Sequence, residues 1–168
     1  MATNLFTFTE LFSRVLGTLD HVLDQGAQHA KSLGVSEADM LEWRLVDDMN
    51  PLRFQAYVVI NFTRQWPARA AGLELPADIA ADLDLAGLRA EIAASKAYLA
   101  ALTPEQFAGR DDVPLTVSIG PMEPTLGAAQ WLTVFGATNV YFHMSMAYAI
   151  CRAKGVAIGK RDLFAGGL

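Results

Sequence analysis

The chain has 168 residues, of which 52% are hydrophobic and 18% are charged, and its formal net charge is −5. This length suits one domain with a sizeable core, and a composition this apolar excludes an intrinsically disordered chain. The basic residues form no run longer than a pair, so we expect no nucleic-acid partner.

In chain order, the first predicted element is a helix over residues 8–33. Its apolar residues recur at steps of three and four, as on the buried stripe of an amphipathic helix. Thr7 or Thr9 is placed to cap its start, and Gly34 is placed to end it. His21 lies on the solvent-facing side of this helix. His29 borders the apolar stripe, where it would either face an interior cavity or lie at the edge of the core.

The next elements are a short helix and the second long helix. Ser36 opens a capping-box pattern that starts the short helix. Asn50 followed by Pro51 is typical of an N-cap and a first helical position. The second long helix is then predicted to run to about Trp66, where Pro67 should kink or end it.

Asp84 is placed to cap the third long helix, whose inward-facing apolar residues continue to Leu102. The pair Thr103-Pro104 starts a brief further turn. Residues 113–119, VPLTVSI, alternate and are rich in β-branched side chains. This pattern predicts a strand in a small hairpin.

The fourth long helix is predicted over residues 127–154, with an interruption near Gly136. Gly155 is placed to end it. The remaining tail is predicted to be a loop in which Leu163 and Phe164 are available to dock on the bundle.

The segment from Pro124 to Cys151 carries no charged residue and is long enough to cross a bilayer. Asn139 and His143 near its centre would be costly in lipid, whereas the middle of a soluble bundle needs a helix that is apolar nearly all round. We therefore predict an all-α four-helix bundle with a small β-hairpin or extended segment before its last long helix, and no membrane partner.

The cysteine count and the first residues bear on the compartment. Cys151 is the single cysteine, which excludes an intramolecular disulfide. The opening residues, MATNLFTFTELF, lack the basic segment and the long apolar segment of a secretory signal. We expect a cytoplasmic protein.

His143 is the most conspicuous polar residue of the apolar fourth helix. It shares a helix surface with Asn139 and Ala147, one turn away on either side. It is either a buried histidine satisfied by one or two hydrogen bonds or a ligand-binding group. If it binds a ligand, Tyr148 and His29 are candidates for the same site.

A second polar group precedes the second long helix. Asp47 and Asp48 lie where carboxylates stabilise a helix N-terminus. Arg44 would either form a salt bridge with one of them or join Asp48 and Gln55 in a polar cluster at the mouth of a pocket.

No strong catalytic motif is present in the sequence. The chain has no H-E-x-x-H, Walker-type, G-x-S-x-G or dinucleotide-binding glycine pattern. Most hydrolase and nucleotide-binding functions therefore lose their support, and the sequence indicates no catalytic residue.

Three stretches carry a resemblance to a known family: RLVDDMNPLRFQ at 44–55, ARAAGL at 68–73 and NVYFHMSMAYAICRAKGVAIGKRD at 139–162. Over nearly its whole length the chain resembles a bacterial and fungal family of DinB/YfiT-like four-helix bundles without an assigned function. The resemblance implies an up-down-down-up order of the helices and a homodimer.

The wider DinB-like group includes metal-dependent enzymes, among them thiol transferases, whose metal is held by three histidines. One comes from the second helix and two from an H-x-x-x-H pair on the fourth. In this chain residues 51–66 contain no histidine, and Ala147 stands four residues after His143. One imidazole is too few for the three-ligand open site of catalytic zinc, so we expect no metal and no other cofactor.

The leading hypothesis is therefore a binding protein with a small-molecule pocket between helices. One alternative is a metal-assisted or thiol-dependent transferase or hydrolase, in which His143, His29 and an acid hold zinc or nickel. The second alternative is a non-catalytic module that works through its dimer face.

Overall fold

The computed structural model describes residues 4–167. Four long helices dominate this part of the chain, and shorter elements join them. In order the elements are α1 (Thr7–Ser32), α2 (Glu37–Leu41), α3 (Leu52–Ala71), α4 (Leu85–Ala101), α5 (Pro104–Phe107), β1 (Pro114–Thr116), β2 (Thr125–Gly127), α6 (Ala128–Gln130), a π-helical segment (Trp131–Gly136), α7 (Ala137–Ala153) and a 3-10 helix (Lys160–Phe164).

Polar contacts between the helices fix their directions. The end of α1 meets the end of α7, where His29 contacts the carbonyl of Lys154, so these two helices are parallel. The start of α3 meets the middle of α7 through Gln55 and His143, and Trp66 near its end stacks on Trp131. Helices α3 and α7 are therefore antiparallel.

The remaining helix, α4, runs with α3 and against α1. Arg53 donates to the carbonyl of Leu83 just before α4, and Arg64 pairs with Glu91 one to two turns into it. On its other side, Arg89 near the start of α4 pairs with Asp20 and Asp24 in the second half of α1, whereas Leu99 near its end lies beside Phe6 at the start of α1, so these two helices are antiparallel. The described bundle thus has the up-down-down-up order that the resemblance implied.

Several predicted helix ends are confirmed. The Ser36 hydroxyl accepts from the amide of Asp39 at 3.1 Å, and the Asp84 carboxylate accepts from the amide of Gly87 at 2.8 Å. Gly34 follows the end of α1 with a φ of 71°, a left-handed conformation that favours glycine.

Pro67 was predicted to kink or end the second long helix at about Trp66. The predicted end is wrong, because the helix continues past Pro67. Helix α3 continues to Ala71 and stops at Gly72, whose φ is 72°. Proline removes one backbone hydrogen bond, but Ala68, Ala70 and Ala71 beyond it are buried in the bundle. Burial of this last turn offsets the lost bond.

Two predicted caps are also wrong. Helix α3 starts one residue later than expected, with Pro51 at the cap position and no side-chain cap. At α1 the cap position is Phe6, and the hydroxyl of Thr9 donates to the Phe6 carbonyl and caps no amide. At this end of α3, the backbone carbonyl of Asn50 accepts a hydrogen bond from the Gln55 side chain, and the Asn50 side chain caps no amide.

The hairpin is confirmed but short. Strand β1 pairs with β2 in antiparallel register, with Leu115 opposite Leu126. The next residue, Val117, faces Pro124 and donates to its carbonyl. Because proline has no N–H to return a bond, regular pairing stops there.

The interruption near Gly136 is a π-helical segment. After the buried Trp131 and Leu132, the next buried positions are Gly136 and Ala137, five residues on. The ring of Trp66 fills the space beside Gly136, so that a Cβ added there would lie 2.7 Å from its Cγ. This close approach requires glycine.

The tail runs back along α1 as a 3-10 helix and not as the predicted loop. The Thr18 hydroxyl donates to the Leu163 carbonyl and accepts from the amide of Gly166, each at 3.2 Å. His21, expected in solvent, contacts the Asp162 carboxylate at 2.7 Å. A Cβ on Gly166 would lie 1.8 Å from the Arg14 carbonyl, so the two backbones touch.

Of the helices within residues 4–167, none combines the length and the apolar character that a bilayer span requires.

The contact between Trp66 and Gly136 gives a testable consequence for stability. We expect Gly136→Ala to destabilise the protein, because overpacking a filled site costs about 1–3 kcal/mol. The better helix propensity of alanine returns at most about 1 kcal/mol. The free energy of unfolding from urea titration measures the difference.

The matched control is Gly159→Ala. No atom lies within 4 Å of a Cβ at Gly159, and its φ of −142° suits alanine. If both variants unfold at the same urea concentration, the proposed clash with Trp66 is wrong.

Candidate functional site

His143 belongs to a short chain of hydrogen bonds between α7 and the start of α3. Its Nδ1 lies 2.8 Å from Oε1 of Gln55, and Nε2 of Gln55 donates to the Asn50 carbonyl at 2.9 Å. Because that carbonyl can only accept, it fixes the orientation of the Gln55 amide. Nδ1 of His143 must then donate, which leaves the lone pair of a neutral imidazole on Nε2.

Burial lowers the pKa of His143 below its usual value, so the neutral ring is favoured at pH 7. Phe54 and Phe142 present their rings edgewise to the imidazole, with centroids 6.0 and 5.1 Å away. The site therefore offers one hydrogen-bond acceptor of fixed tautomer in an aromatic setting.

Arg44 and Gln55 both donate hydrogen bonds to backbone carbonyls of the loop before α3. Its guanidinium donates to the Met49 carbonyl at 2.5 Å, and the expected salt bridge to Asp47 or Asp48 does not form in the described structure. Asp48 is exposed. Of the candidate residues in this region, the structure joins Gln55 to His143, while Arg44 closes the loop that leads into α3.

His29 lies elsewhere. Its Nε2 contacts the Lys154 carbonyl at 3.0 Å, and its ring meets that of Trp43 edgewise at 6.4 Å. Eleven residues separate His143 from Lys154, about 16 Å along a helix. The two imidazoles do not share a site.

Tyr148 is also separate from His143. It is half-buried against the core and follows Tyr141 and Ser145 on the side of α7 that faces α1. His143 faces α3. The structure thus divides the predicted site residues among four places: the Gln55–His143 pair, the loop before α3 with Arg44 and Asp48, the end of α7 with His29, and the α1 side of α7 with Tyr148.

A largely apolar cavity lies between α1, α7 and the tail, and sequence reasoning missed it. This groove encloses about 390 Å³ and is lined by Leu11, Arg14, Val15, Thr18, Tyr141, Met144, Ser145, Leu163, Phe164 and Gly167. The signal in the sequence was the apolar pair Leu163 and Phe164, which follows the charged residues Lys160, Arg161 and Asp162 in the tail. Its docking position could not be read from the chain because contacts 145 residues apart in sequence create it.

The described residues supply neither a cluster of metal ligands nor a reactive thiol. Within residues 4–167, no three histidine, cysteine, aspartate or glutamate side chains converge as metal ligands would. Cys151 is fully buried, and burial raises the pKa of its thiol to about 12. A thiol with so high a pKa is a poor nucleophile near neutral pH.

Comparisons with known proteins agree with this architecture. The family model described as "Domain of unknown function (DUF1993)" matches residues 7–164. None of the curated proteins matches the chain. The crystal structure of a DinB family member from Shewanella denitrificans is similar to this chain, with a TM-score of 0.82 and 27% sequence identity over 95% of this chain and 90% of that one.

The Gln55–His143 contact predicts how the imidazole titrates. Gln55→Glu places a carboxylate against Nδ1 and favours the imidazolium, so we expect the pKa of His143 to rise by about 1 unit or more. The chemical shift of its Cε1 proton, followed against pH by NMR, measures the pKa.

Gln106→Glu is the control because it adds the same charge at α5. Oε1 of Gln106 accepts from the Thr103 amide, and a glutamate can keep that bond. An unchanged pKa of His143 in Gln55→Glu would mean that Gln55 is not its Nδ1 partner in solution.

Proposed function

The chain belongs to the DUF1993 family. On that premise we propose that it is a binding protein that holds a small, largely apolar molecule in the groove between α1, α7 and the tail. The observation that carries the proposal is the groove itself, with a volume of about 390 Å³ and largely apolar walls. Small-molecule sites are typically clefts of about 300–1,000 Å³ with a few polar groups among apolar ones.

The residues at the base of the groove are more deeply buried than those of the tail that covers it. Val15 and Met144 form its base and are 6% and 3% exposed. The cover is the tail, whose Phe164 is 48% exposed and whose 3-10 helix contains no buried residue. A ligand that contacts both sides would gain apolar burial and help hold the tail in place.

An enzyme centred on His143 is the weaker hypothesis. The groups at that ring are one carboxamide and two aromatic edges, and an open catalytic zinc site needs three protein ligands. A cytoplasmic location, expected from the sequence, stays a prediction.

A neutral fluorescent probe, N-phenylnaphthylamine, tests the binding function. We expect saturable binding at one site, together with a shift of the Met144 methyl resonance in protein labelled at its methionine methyl groups. Leu11→Trp, which adds an indole inside the groove, should abolish both signals because it fills the volume the probe needs.

Ala93→Trp is the matched control, since it adds the same indole at an exposed position of α4 away from the groove. It should bind the probe as the unmodified protein does. Probe binding that survives Leu11→Trp, or that leaves the Met144 methyl unmoved, would place the site elsewhere and refute this function.

A second observation favours a dimer. Val134 in the π-helical segment and Phe142 on α7 are exposed at 61% and 52%. No charged residue occurs from 124 to 151. Two copies of a chain with net charge −5 would meet on this face without like-charge repulsion. We infer that the protein forms a homodimer through this face.

Sedimentation velocity over a range of concentrations tests the dimer. We expect Phe142→Lys to shift the protein toward monomer, because a buried unpaired charge opposes association. Ala97→Lys, at an exposed site on α4, should leave the dimer intact. A protein that stays monomeric throughout the range would contradict the inference.

A further inference from the structure

We propose that the ligand of this groove is an amphipathic carboxylate, a molecule with an apolar chain or ring system that ends in one carboxylate held by Arg14. This inference rests on the binding function proposed above and adds the chemical class of the ligand. It follows from which groups line the groove and which of their polar atoms are already engaged.

The charge in the groove has one sign. Among the ten residues that line it in the described structure, Arg14 is the charged one, and the others are apolar or neutral. A cation beside an apolar cavity selects a ligand that joins an apolar body to an anionic end.

The other polar side chains of the groove are neutral, namely the hydroxyls of Thr18, Tyr141 and Ser145. The Thr18 hydroxyl is engaged twice, as donor to the Leu163 carbonyl and as acceptor from the Gly166 amide. Buried polar groups of a ligand without partners would cost free energy. Arg14 is the charged group of the described lining, so an anionic head should be directed at it, and the ligand's body should be largely apolar.

The position of Arg14 sets where the head group lies. Its guanidinium reaches back one turn to Glu10, toward the start of α1. The α1 side of the groove extends from Leu11 to Thr18, about 10 Å along the helix. The carboxylate would thus bind at the Leu11 end, and the apolar body would run toward Thr18 and the tail.

Glu10 explains why the head should carry a single negative charge. Arg14 pairs with Glu10 at 2.5 Å, and the two side chains are 38% and 68% exposed, so the pair is open to solvent and weak. The guanidinium has five N–H donors and can hold a second carboxylate beside or in place of Glu10. A dianionic phosphate would place two further negative charges beside that of Glu10, and the single positive charge of Arg14 could not balance all three.

The test compares three probes with the same chain, namely decanoate, decanol and decyl phosphate, each below the concentration at which it aggregates. Binding is followed by the Met144 methyl resonance and by calorimetry. We expect decanoate to bind about tenfold or more tightly than decanol, as a charge-assisted hydrogen bond to arginine allows. Decyl phosphate should bind less tightly than decanoate.

Two variants examine the head group. Arg14→Gln should remove the preference for decanoate over decanol. Glu10→Gln should tighten decanoate binding several-fold, because it frees Arg14 from its competitor. Neither side chain is buried, so both variants should fold, which circular dichroism can check.

The outcomes separate the two proposals. Equal binding of decanol and decanoate, or a carboxylate preference that survives Arg14→Gln, overturns the ligand class while the binding function stands. Tightest binding of decyl phosphate also overturns it. If none of the three probes shifts the Met144 resonance, the binding function fails and the ligand class fails with it.

Discussion

The packing of Trp66 against Gly136 is the constraint on which the two central helices depend. The indole occupies the space that any side chain at residue 136 would need, and it stacks on Trp131. This contact fixes the end of α3 against the start of α7, so the antiparallel pair can adopt one register. In that register Gln55, three turns back along α3, reaches His143 two turns along α7. The polar pair therefore depends on an aromatic contact at the other end of the helices.

The π-helical segment decides which way α7 faces. One extra residue in a helical turn rotates everything after it by about 100° relative to an unbroken helix. After this rotation His143 points at α3, Tyr141 and Met144 line the groove beside α1, and Phe142 points outward. A single helix without a charged residue before Arg152 thus supplies the hydrogen-bonded histidine, one wall of the proposed binding site and part of the proposed dimer face. Apolar residues suit all three roles, because each side of this helix packs against another helix or is proposed to pack against a second copy of the chain or a ligand.

Local sequence signals predicted the bundle well and the site poorly. Capping at Ser36 and Asp84 depends on residues three apart, and glycine at 34 depends on one backbone angle, so each was visible in the sequence. The continuation of α3 through Pro67 was not visible, because burial of the turn beyond it decides the outcome. The groove was missed for the same reason: Thr18 and Leu163 meet only after the whole bundle has formed. Gln55 was a candidate partner at a pocket mouth, but its pairing with His143 needed the register that Trp66 and Gly136 impose.

The stacked indoles of Trp66 and Trp131 give the molecule an optical property of its own. Their ring centroids are 5.6 Å apart and their planes differ by 22°, close enough for the excited states of the two chromophores to mix. The third tryptophan, Trp43, lies edgewise to His29 at the opposite end of the bundle and takes no part. Exciton coupling in the ultraviolet circular dichroism would therefore report on one junction of the fold, without any label.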